Sequence, residues 1–327
     1  MEGIASAWAR FRAFEDNFPA VAWIEFCRRH DEIPVFAVAF YLCFVFYVPG
    51  LLEKREGFSL KWPFAAWNVI LALFSVSGSI RTVPHLVATF NKKGFDYTVC
   101  EDPANWYREG PVGMWVALFI YSKIPELLDT LFLVLQKKRV IFLGWFHHTT
   151  VMLYCWHAYH KCIAPGLWFA TMNYVVHSFM YTYYFLMVFK SLRLYARAIA
   201  PFITAIQIAQ MAVGVTVTVR SAQLYYSGGK RACDVDPANF KLGLGMYGSY
   251  LVLFSLLFWD KYFGNGPAKV DGKVVHGAEK TAEVCGVELT KDGAGFFQPD
   301  DMDGDIAPAA STLSRRTNRA RVAPKRD

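Results

Sequence analysis

Seven stretches of this chain are apolar almost without interruption, and each is long enough to cross a bilayer as a helix, which takes about 20 residues. They cover residues 34–52, 62–88, 113–135, 142–162, 166–189, 202–218 and 242–262. The polar links between them are short, as in Glu53 to Glu56, Lys137 to Arg139 and Lys190 to Arg197. Such links suit helical hairpins and leave no room for a large soluble domain among the spans. The stretches do not alternate in polarity, which argues against a β-barrel, the other spanning form that lipid permits. Composition agrees: 54% of the 327 residues are hydrophobic and 19% are charged, where a soluble domain carries about a quarter. The expected fold is all-α and integral to a membrane, with seven transmembrane helices.

Three segments follow from this pattern. Residues 1–33 read as an N-terminal amphipathic segment, in which Arg10, Arg12, Glu15 and Asp16 break the continuous apolar core that a signal peptide needs. Residues 34–263 form the membrane domain. Residues 264–327 turn to Gly, Pro, Asp, Lys and Ser, with an acidic run at 300–305 ahead of a basic one at 315–326. They read as a mostly disordered polar tail with one weak element near 270–289. Basic residues divide almost evenly between the two sets of links, so the positive-inside rule is nearly silent. The basic end of the tail tips the expectation towards a cytoplasmic C-terminus. Of the seven cysteines, Cys43, Cys155 and Cys162 fall within spans, where they serve as small apolar side chains. Cys100 and Cys233 fall in the second and sixth links, on one face. In an oxidising compartment they could pair, provided that their backbones approach.

Ionisable side chains inside a span are costly, so each is a functional candidate. The third span carries Lys123, Glu126 and Asp129 at steps of three, with Thr130 four beyond Glu126, along one flank of a helix. Pro125 frees a backbone carbonyl there and is expected to kink the helix. The charges could neutralise one another, and the same network could orient catalytic histidines. The span leaves the membrane through Lys137, Lys138 and Arg139. The fourth span opens with His147-His148, about 100° apart on a helix. One is expected to face the bundle interior and the other a neighbouring helix, while His157 and His160 lie near the far interface. In the fifth span Asn173, His177 and Tyr181 step by four, and Tyr184 returns to the same side. An aromatic stripe alone would be packing, but buried amide and imidazole groups need partners. The sixth span adds Thr204, Gln207 and Gln210 at helical spacing, either as helix glue or as the polar wall of a pocket.

Three chemistries use such residues. A di-iron membrane oxidase or desaturase needs histidines in three boxes. This chain has eight histidines in all, but His30, His85 and His276 stand apart. Gly144, which cannot ligate, stands where an HxxHH box would begin, so no metal is expected. A proton-coupled transporter could use the same charges, but no inverted repeat is visible, and the charges concentrate on two neighbouring spans. The third chemistry is nucleophilic: a neutral imidazole attacks a thioester and holds the acyl group. A fatty thioester also explains why the reacting groups sit in an apolar bundle.

Four motifs in order, KIPELLDT, FLGWFHH, NYVVHSFMYTYY and TAIQIAQ, resemble those of the ELO-type fatty acid elongases, the membrane 3-ketoacyl-CoA synthases, over residues 62–263. The likeness is closest to the branch that extends long-chain saturated and monounsaturated acyl-CoA. The resemblance implies an endoplasmic reticulum enzyme, six of whose seven helices form a closed ring around an acyl-chain tunnel. It implies condensation of malonyl-CoA with acyl-CoA to 3-ketoacyl-CoA, CoA and CO2, with no cofactor. Family motif positions fall on Lys123, Glu126, Asp129, His147, His148, Asn173, His177, Met180, Tyr181, Tyr183, Tyr184, Gln207 and Gln210. On a ping-pong course, His147 would attack the acyl thioester, with His148 beside it, and His177 would assist decarboxylation. Asn173 would steady the enolate, while Glu126 and Asp129 would orient the imidazoles. Lys123, Lys137, Lys138 and Arg139 would receive CoA phosphates. Expected partners are the two CoA thioesters, membrane lipid, a second copy of the chain, and the ketoacyl-CoA reductase, dehydratase and enoyl reductase of the same cycle. No nucleic acid is expected. The departure is Gly144, which replaces the first histidine of the family's box. With the other motifs intact, that position reads as a supporting one that can be replaced.

Overall fold

The computed structural model describes residues 2–228, 233–263, 268–270 and 273–275. The acidic and basic runs expected in the tail lie outside the described residues. Two N-terminal helices, α1 (Glu2–Asp16) and α2 (Ala20–Arg29), precede the first span, α3 (Glu32–Leu52). After it come α4 (Lys61–Lys93) and the short α5 (Phe95–Cys100). The third span is α6 (Gly110–Ser122) and α7 (Leu128–Leu135), joined by a 3-10 turn at Pro125–Leu127. The remaining helices are α8 (Phe142–His160), α9 (Gly166–Met187), α10 (Arg193–Gly228) and α11 (Pro237–Tyr262). A short antiparallel hairpin, β1 (Ala268–Val270) and β2 (Lys273–Val275), with Ala268 opposite Val275, stands at the start of the stretch 270–289 where one weak element was expected, and the rest of that stretch lies outside the described residues.

Two boundaries differ from the sequence reading for physical reasons. Pro125 does not merely kink the third span. It lacks the N–H that an α-helix would use, and the chain tightens into 3-10 geometry, which stacks residues i and i+3 over one another. The sixth span runs well past 202–218 at both ends and through Pro201. Its extra turns carry Arg193, Arg197 and Gln223, too polar to register as membrane-spanning.

Among the described residues, four helical segments are long and apolar enough to cross a bilayer: α3, α4, α10 with the 3-10 turn before it, and α11. Of the other expected spans, α6–α7 is split by the 3-10 turn into two apolar pieces that are each too short, while polar side chains dilute the hydropathy of α8 and α9. At one end the Lys137 Nζ donates to the carbonyls of Glu53 and Arg55, and the Phe58 N–H reaches the Leu135 carbonyl. At the other end Cys100 and Cys233 form a disulfide, and the Asp234 N–H bonds the Cys100 carbonyl. The pairing that the sequence left conditional is therefore made. Large apolar side chains face outward, among them Phe36, Phe40, Leu73, Ile80, Val252 and Trp259, as expected where lipid is the solvent. The protein is a multi-pass membrane protein.

The helices pack as pairs: α4 on α9, α9 on α10, α10 on α11, α11 on α8, α8 on α6 and α6 on α4, with α3 lying on α7 and α8. Two of these contacts need glycine. A Cβ at Gly78 of α4 would lie 2.5 Å from the Tyr174 ring of α9, and one at Gly214 of α10 would lie 2.5 Å from the Tyr247 ring of α11. Removing the side chain lets a large ring seat against the facing backbone, as small residues do throughout membrane bundles.

The N-terminal helices are part of the packed body. Glu15 of α1 has no solvent exposure. It accepts both guanidinium hydrogen bonds of Arg81, at 2.9 and 2.7 Å, and one from the Trp115 indole at 2.8 Å. Burial pushes the Glu15 carboxyl up, but Arg81 and Trp115 outweigh it and hold it below its ordinary range.

Candidate functional site

The polar side chains of the third to sixth spans meet inside the bundle. The 3-10 turn at Pro125 places Lys123 over Glu126, and both are almost fully buried, at 3% and 4% exposure. The Lys123 Nζ lies 2.8 Å from each Glu126 carboxylate oxygen and 3.1 Å from the Asn173 Oδ1. It also stands 4.2 Å from the centre of the Phe119 ring. Ser122 Oγ adds a hydrogen bond to Glu126 at 2.7 Å. An ammonium only donates, so the Asn173 atom facing it is the carbonyl oxygen. The Asn173 Nδ2 then donates to His177 Nε2 at 3.1 Å. A neutral His177 with Nε2 accepting carries its proton on Nδ1. That Nδ1 faces Glu126 Oε2 at 4.0 Å. One chain of contacts thus fixes an amide and an imidazole tautomer from a single buried ion pair.

Asp129 belongs to a second network, not to a ladder with Lys123 and Glu126. Its carboxylate accepts from the Trp67 indole at 2.6 Å and from the Tyr181 hydroxyl at 2.8 Å. The Tyr181 ring stands edge-on to His177, with centroids 5.1 Å apart. Asp129 therefore reaches the imidazole through Tyr181. Next to it, Thr130 shares a 2.9 Å hydrogen bond with Tyr41 of α3.

His147 and His148 both border the cavity between these networks, so the expectation that only one would face the interior is corrected. Their rings lie 5.6 Å apart. They enter from two sides because each leans on a different neighbour: His148 on Tyr41 of α3 at 6.1 Å, and His147 on Tyr250 of α11 at 5.0 Å. Tyr250 also hydrogen-bonds the His147 carbonyl at 3.2 Å and the Thr150 hydroxyl. The cavity holds about 680 Å³ of empty space. It is bordered by His147, His148, Asn173 and His177, by Asp129, Tyr181, Tyr184, Gln207 and Gln210, and by apolar walls that include Phe64, Leu133, Met180 and Phe254. The Gln207 amide donates towards the Met180 sulfur at 3.6 Å.

Residues 26–270 match the model of the ELO family, described as the GNS1/SUR4 family. The chain belongs to the ELO family. It is 47% identical over 232 residues to "Very long chain fatty acid elongase 4" of Trypanosoma cruzi (strain CL Brener), covering 71% of this chain and 80% of that protein. It is 42% identical over 275 residues to "Fatty acid elongase 3" of Trypanosoma brucei brucei (strain 927/4 GUTat10.1), covering 77% and 91%. It is 38% identical over 230 residues to "Very long chain fatty acid elongase 6" of Drosophila melanogaster, covering 70% and 72%. As a member of this family the chain is a membrane protein of fatty acid elongation.

Within the elongase framework the basic residues separate. Lys123 lies in the interior with its three protons directed at Glu126 and Asn173, so it does not stand with the surface cations expected to receive phosphates. Lys137 and Arg139 are exposed and Lys138 is buried, all just beyond the end of α7. Among the described residues no group of three His, Cys, Asp or Glu side chains is placed to hold a metal ion. The sequence reading missed Trp67 and Asn68, which sit beside one another on α4. Asn68 is buried at the cavity with its amide on the Phe64 carbonyl. The lone amide in the apolar first half of that span was the available signal. Tyr41 and Tyr250 carried none, because tyrosines at a span's surface and at its core look alike in sequence.

Proposed function

We propose that this elongase condenses malonyl-CoA with a long-chain saturated or monounsaturated acyl-CoA, giving 3-ketoacyl-CoA, CoA and CO2. The observation that carries the reading is the common cavity: His147, His148, Asn173 and His177 border one hollow whose remaining walls are largely apolar. A fatty thioester needs both features. In the first half-reaction His147 attacks the thioester carbonyl, the C–S bond breaks, and CoA leaves as the thiol. In the second, malonyl-CoA loses CO2, and the resulting carbanion attacks the acyl carbonyl and releases the imidazole. Asn173, its oxygen pinned by Lys123, keeps a second amide proton for the enolate oxygen. His177, with its tautomer set, is the acid–base partner. Glu126 orients His177 directly, and Asp129 does so through Tyr181. Lys137 and Arg139, the exposed pair, are proposed to meet the CoA phosphates at the end where α7 leaves the bundle. The reaction draws on no cofactor.

In this reading α4, α6–α7, α8, α9, α10 and α11 ring the acyl tunnel, with α3 outside as the seventh span. The closed circuit of helix contacts supports that arrangement. The disulfide supports an endoplasmic reticulum membrane with Cys100 and Cys233 on the luminal face and the C-terminus in the cytoplasm. A second copy of the chain and the three later enzymes of the cycle are the proposed protein partners. The relatives do not favour a transporter or a di-iron oxidase.

The test is an assay of the purified full chain with malonyl-CoA and a series of acyl-CoAs, following CO2 and 3-ketoacyl-CoA. The reading expects both products in equal amounts, without iron, reductant or oxygen. A preparation that binds acyl-CoA but releases no CO2 and forms no ketoacyl product would overturn it.

A further inference from the structure

Helix α11 carries none of the four motifs and no residue that takes a step in the reaction, yet it supports the nucleophile. Tyr250, in the middle of this helix, is 1% exposed and is not a wall residue of the cavity. It reaches the cavity through His147. The two rings lie 5.0 Å apart, inclined at 47°, and the tyrosine ring stands edge-on to Phe146 at 6.0 Å. Thr150 Oγ donates to the Phe146 carbonyl at 2.7 Å, which leaves Thr150 as an acceptor for Tyr250. The single Tyr250 hydroxyl proton is therefore shared between Thr150 and the His147 carbonyl, 3.2 Å away. One side chain thus holds His147 twice: its ring sets the plane of the imidazole, and its hydroxyl ties down the backbone beneath. Helix α11 is itself anchored to α8 about two turns further along. There Tyr154 donates to Asn239 Oδ1 at 3.1 Å, and Asn239 Nδ2 donates to His157 Nδ1 at 2.9 Å.

Acyl transfer gives such a support two tasks. One nitrogen of the neutral His147 ring attacks the thioester carbonyl, the C–N bond forms, the C–S bond breaks, and the electron pair leaves on the CoA sulfur. The other ring nitrogen still holds its proton, so the acyl-imidazole is cationic until that proton passes to the thiolate. A nucleophile displaced by about 1 Å can lose about a hundredfold in rate, which makes a fixed imidazole plane valuable. An aromatic ring within about 6 Å also stabilises a cation held away from water, and Tyr250 lies inside that distance. We propose that Tyr250 is a positioning residue for acyl transfer, holding His147 in its attacking geometry while its ring steadies the cationic acyl-imidazole. The proposal rests on the acyl-histidine reading of the cavity.

The experiment compares full-length wild type with Tyr250→Phe, Tyr250→Leu and Tyr154→Phe, each given acyl-CoA alone. It reads the rate and the amplitude of CoA release, and the acyl-CoA concentration that gives half the maximal rate. Tyr250→Phe keeps the ring and loses the hydroxyl, and should slow the release about fivefold. Tyr250→Leu loses both and should slow it about fiftyfold. In both variants the amplitude per folded molecule and the half-maximal concentration should match wild type. Tyr154→Phe removes a hydroxyl from the same helix pair away from His147; it should lower the melting temperature and leave the rate of release unchanged. A merely structural Tyr250 would behave as Tyr154 does, lowering the amplitude as molecules unfold while those that remain react at the wild-type rate, and that result overturns the proposal. A Leu variant as fast as the Phe variant overturns the role of the ring. A wild type that releases no CoA overturns the acyl-histidine reading and this proposal with it, whereas wild-type release matched in rate by both Tyr250 variants overturns the assignment of Tyr250 alone.

Discussion

The buried Lys123–Glu126 pair gives the sharpest quantitative expectation. Lys123→Met removes the ammonium and keeps most of the side-chain volume. It leaves the Glu126 carboxylate, 4% exposed, with the Ser122 hydroxyl as its remaining short contact. Breaking a buried pair in this way costs about 3–5 kcal/mol, and for a domain of this size each kcal/mol lowers the melting temperature by about 2–4 °C. Lys123→Met, and Glu126→Leu for the converse reason, should each lower the transition by roughly 10 °C. The double variant replaces both charges with apolar groups and should lose less than either single variant, a coupling of about 3 kcal/mol. Activity should not return with stability. Without the ammonium, nothing holds the Asn173 oxygen away from His177, so the double variant should fold well and condense poorly. Thermal unfolding in micelles and CO2 release from malonyl-CoA measure the two properties separately. A double variant destabilised by the sum of the singles refutes the pairing. One that condenses at the wild-type rate refutes the chain of contacts from Lys123 to His177.

Asp129→Asn keeps the shape of the side chain but offers an NH2 where Trp67 and Tyr181 both need an acceptor. It should cost about 1–3 kcal/mol and lower kcat by loosening Tyr181 against His177, whereas Asp129→Glu should recover part of the loss. Gly78→Ala forces a methyl into the Tyr174 ring, which is hemmed in by Phe74, Trp115 and Phe119. Overpacking there should cost about 1–3 kcal/mol and, through the shift of α9, reduce turnover more than acyl-CoA binding. Reducing the Cys100–Cys233 disulfide, which closes a loop of 133 residues, should cost about 2–5 kcal/mol, seen as a lower melting temperature in dithiothreitol that Cys100→Ser reproduces without reductant.

The spans and the polar groups that share the cavity were legible because lipid makes every buried charge conspicuous. Their pairing was not. Steps of three from Lys123 to Asp129 imply one flank on a straight helix, but the 3-10 turn at Pro125 breaks that flank and sends Asp129 to Trp67 and Tyr181. Lys123 resembled a phosphate ligand because sequence gives a residue's charge and not its depth. The second histidine's position depended on Tyr41 and Tyr250, whose roles appear only when α3 and α11 are packed beside α8. The N-terminal segment read only as amphipathic. The carboxylate of Glu15, which made it look polar, is the group that fastens it into the bundle.

Release of CoA in the absence of malonyl-CoA tests most directly whether a histidine carries the acyl group. Purified protein mixed with acyl-CoA alone should release CoA in a burst of one equivalent per active site and gain the mass of one acyl group. Malonyl-CoA should then discharge that group. His147→Ala should show neither burst nor adduct, whereas His177→Ala should keep the burst and lose the decarboxylation. CoA release that requires both substrates together, or an undiminished burst from His147→Ala, would contradict the account.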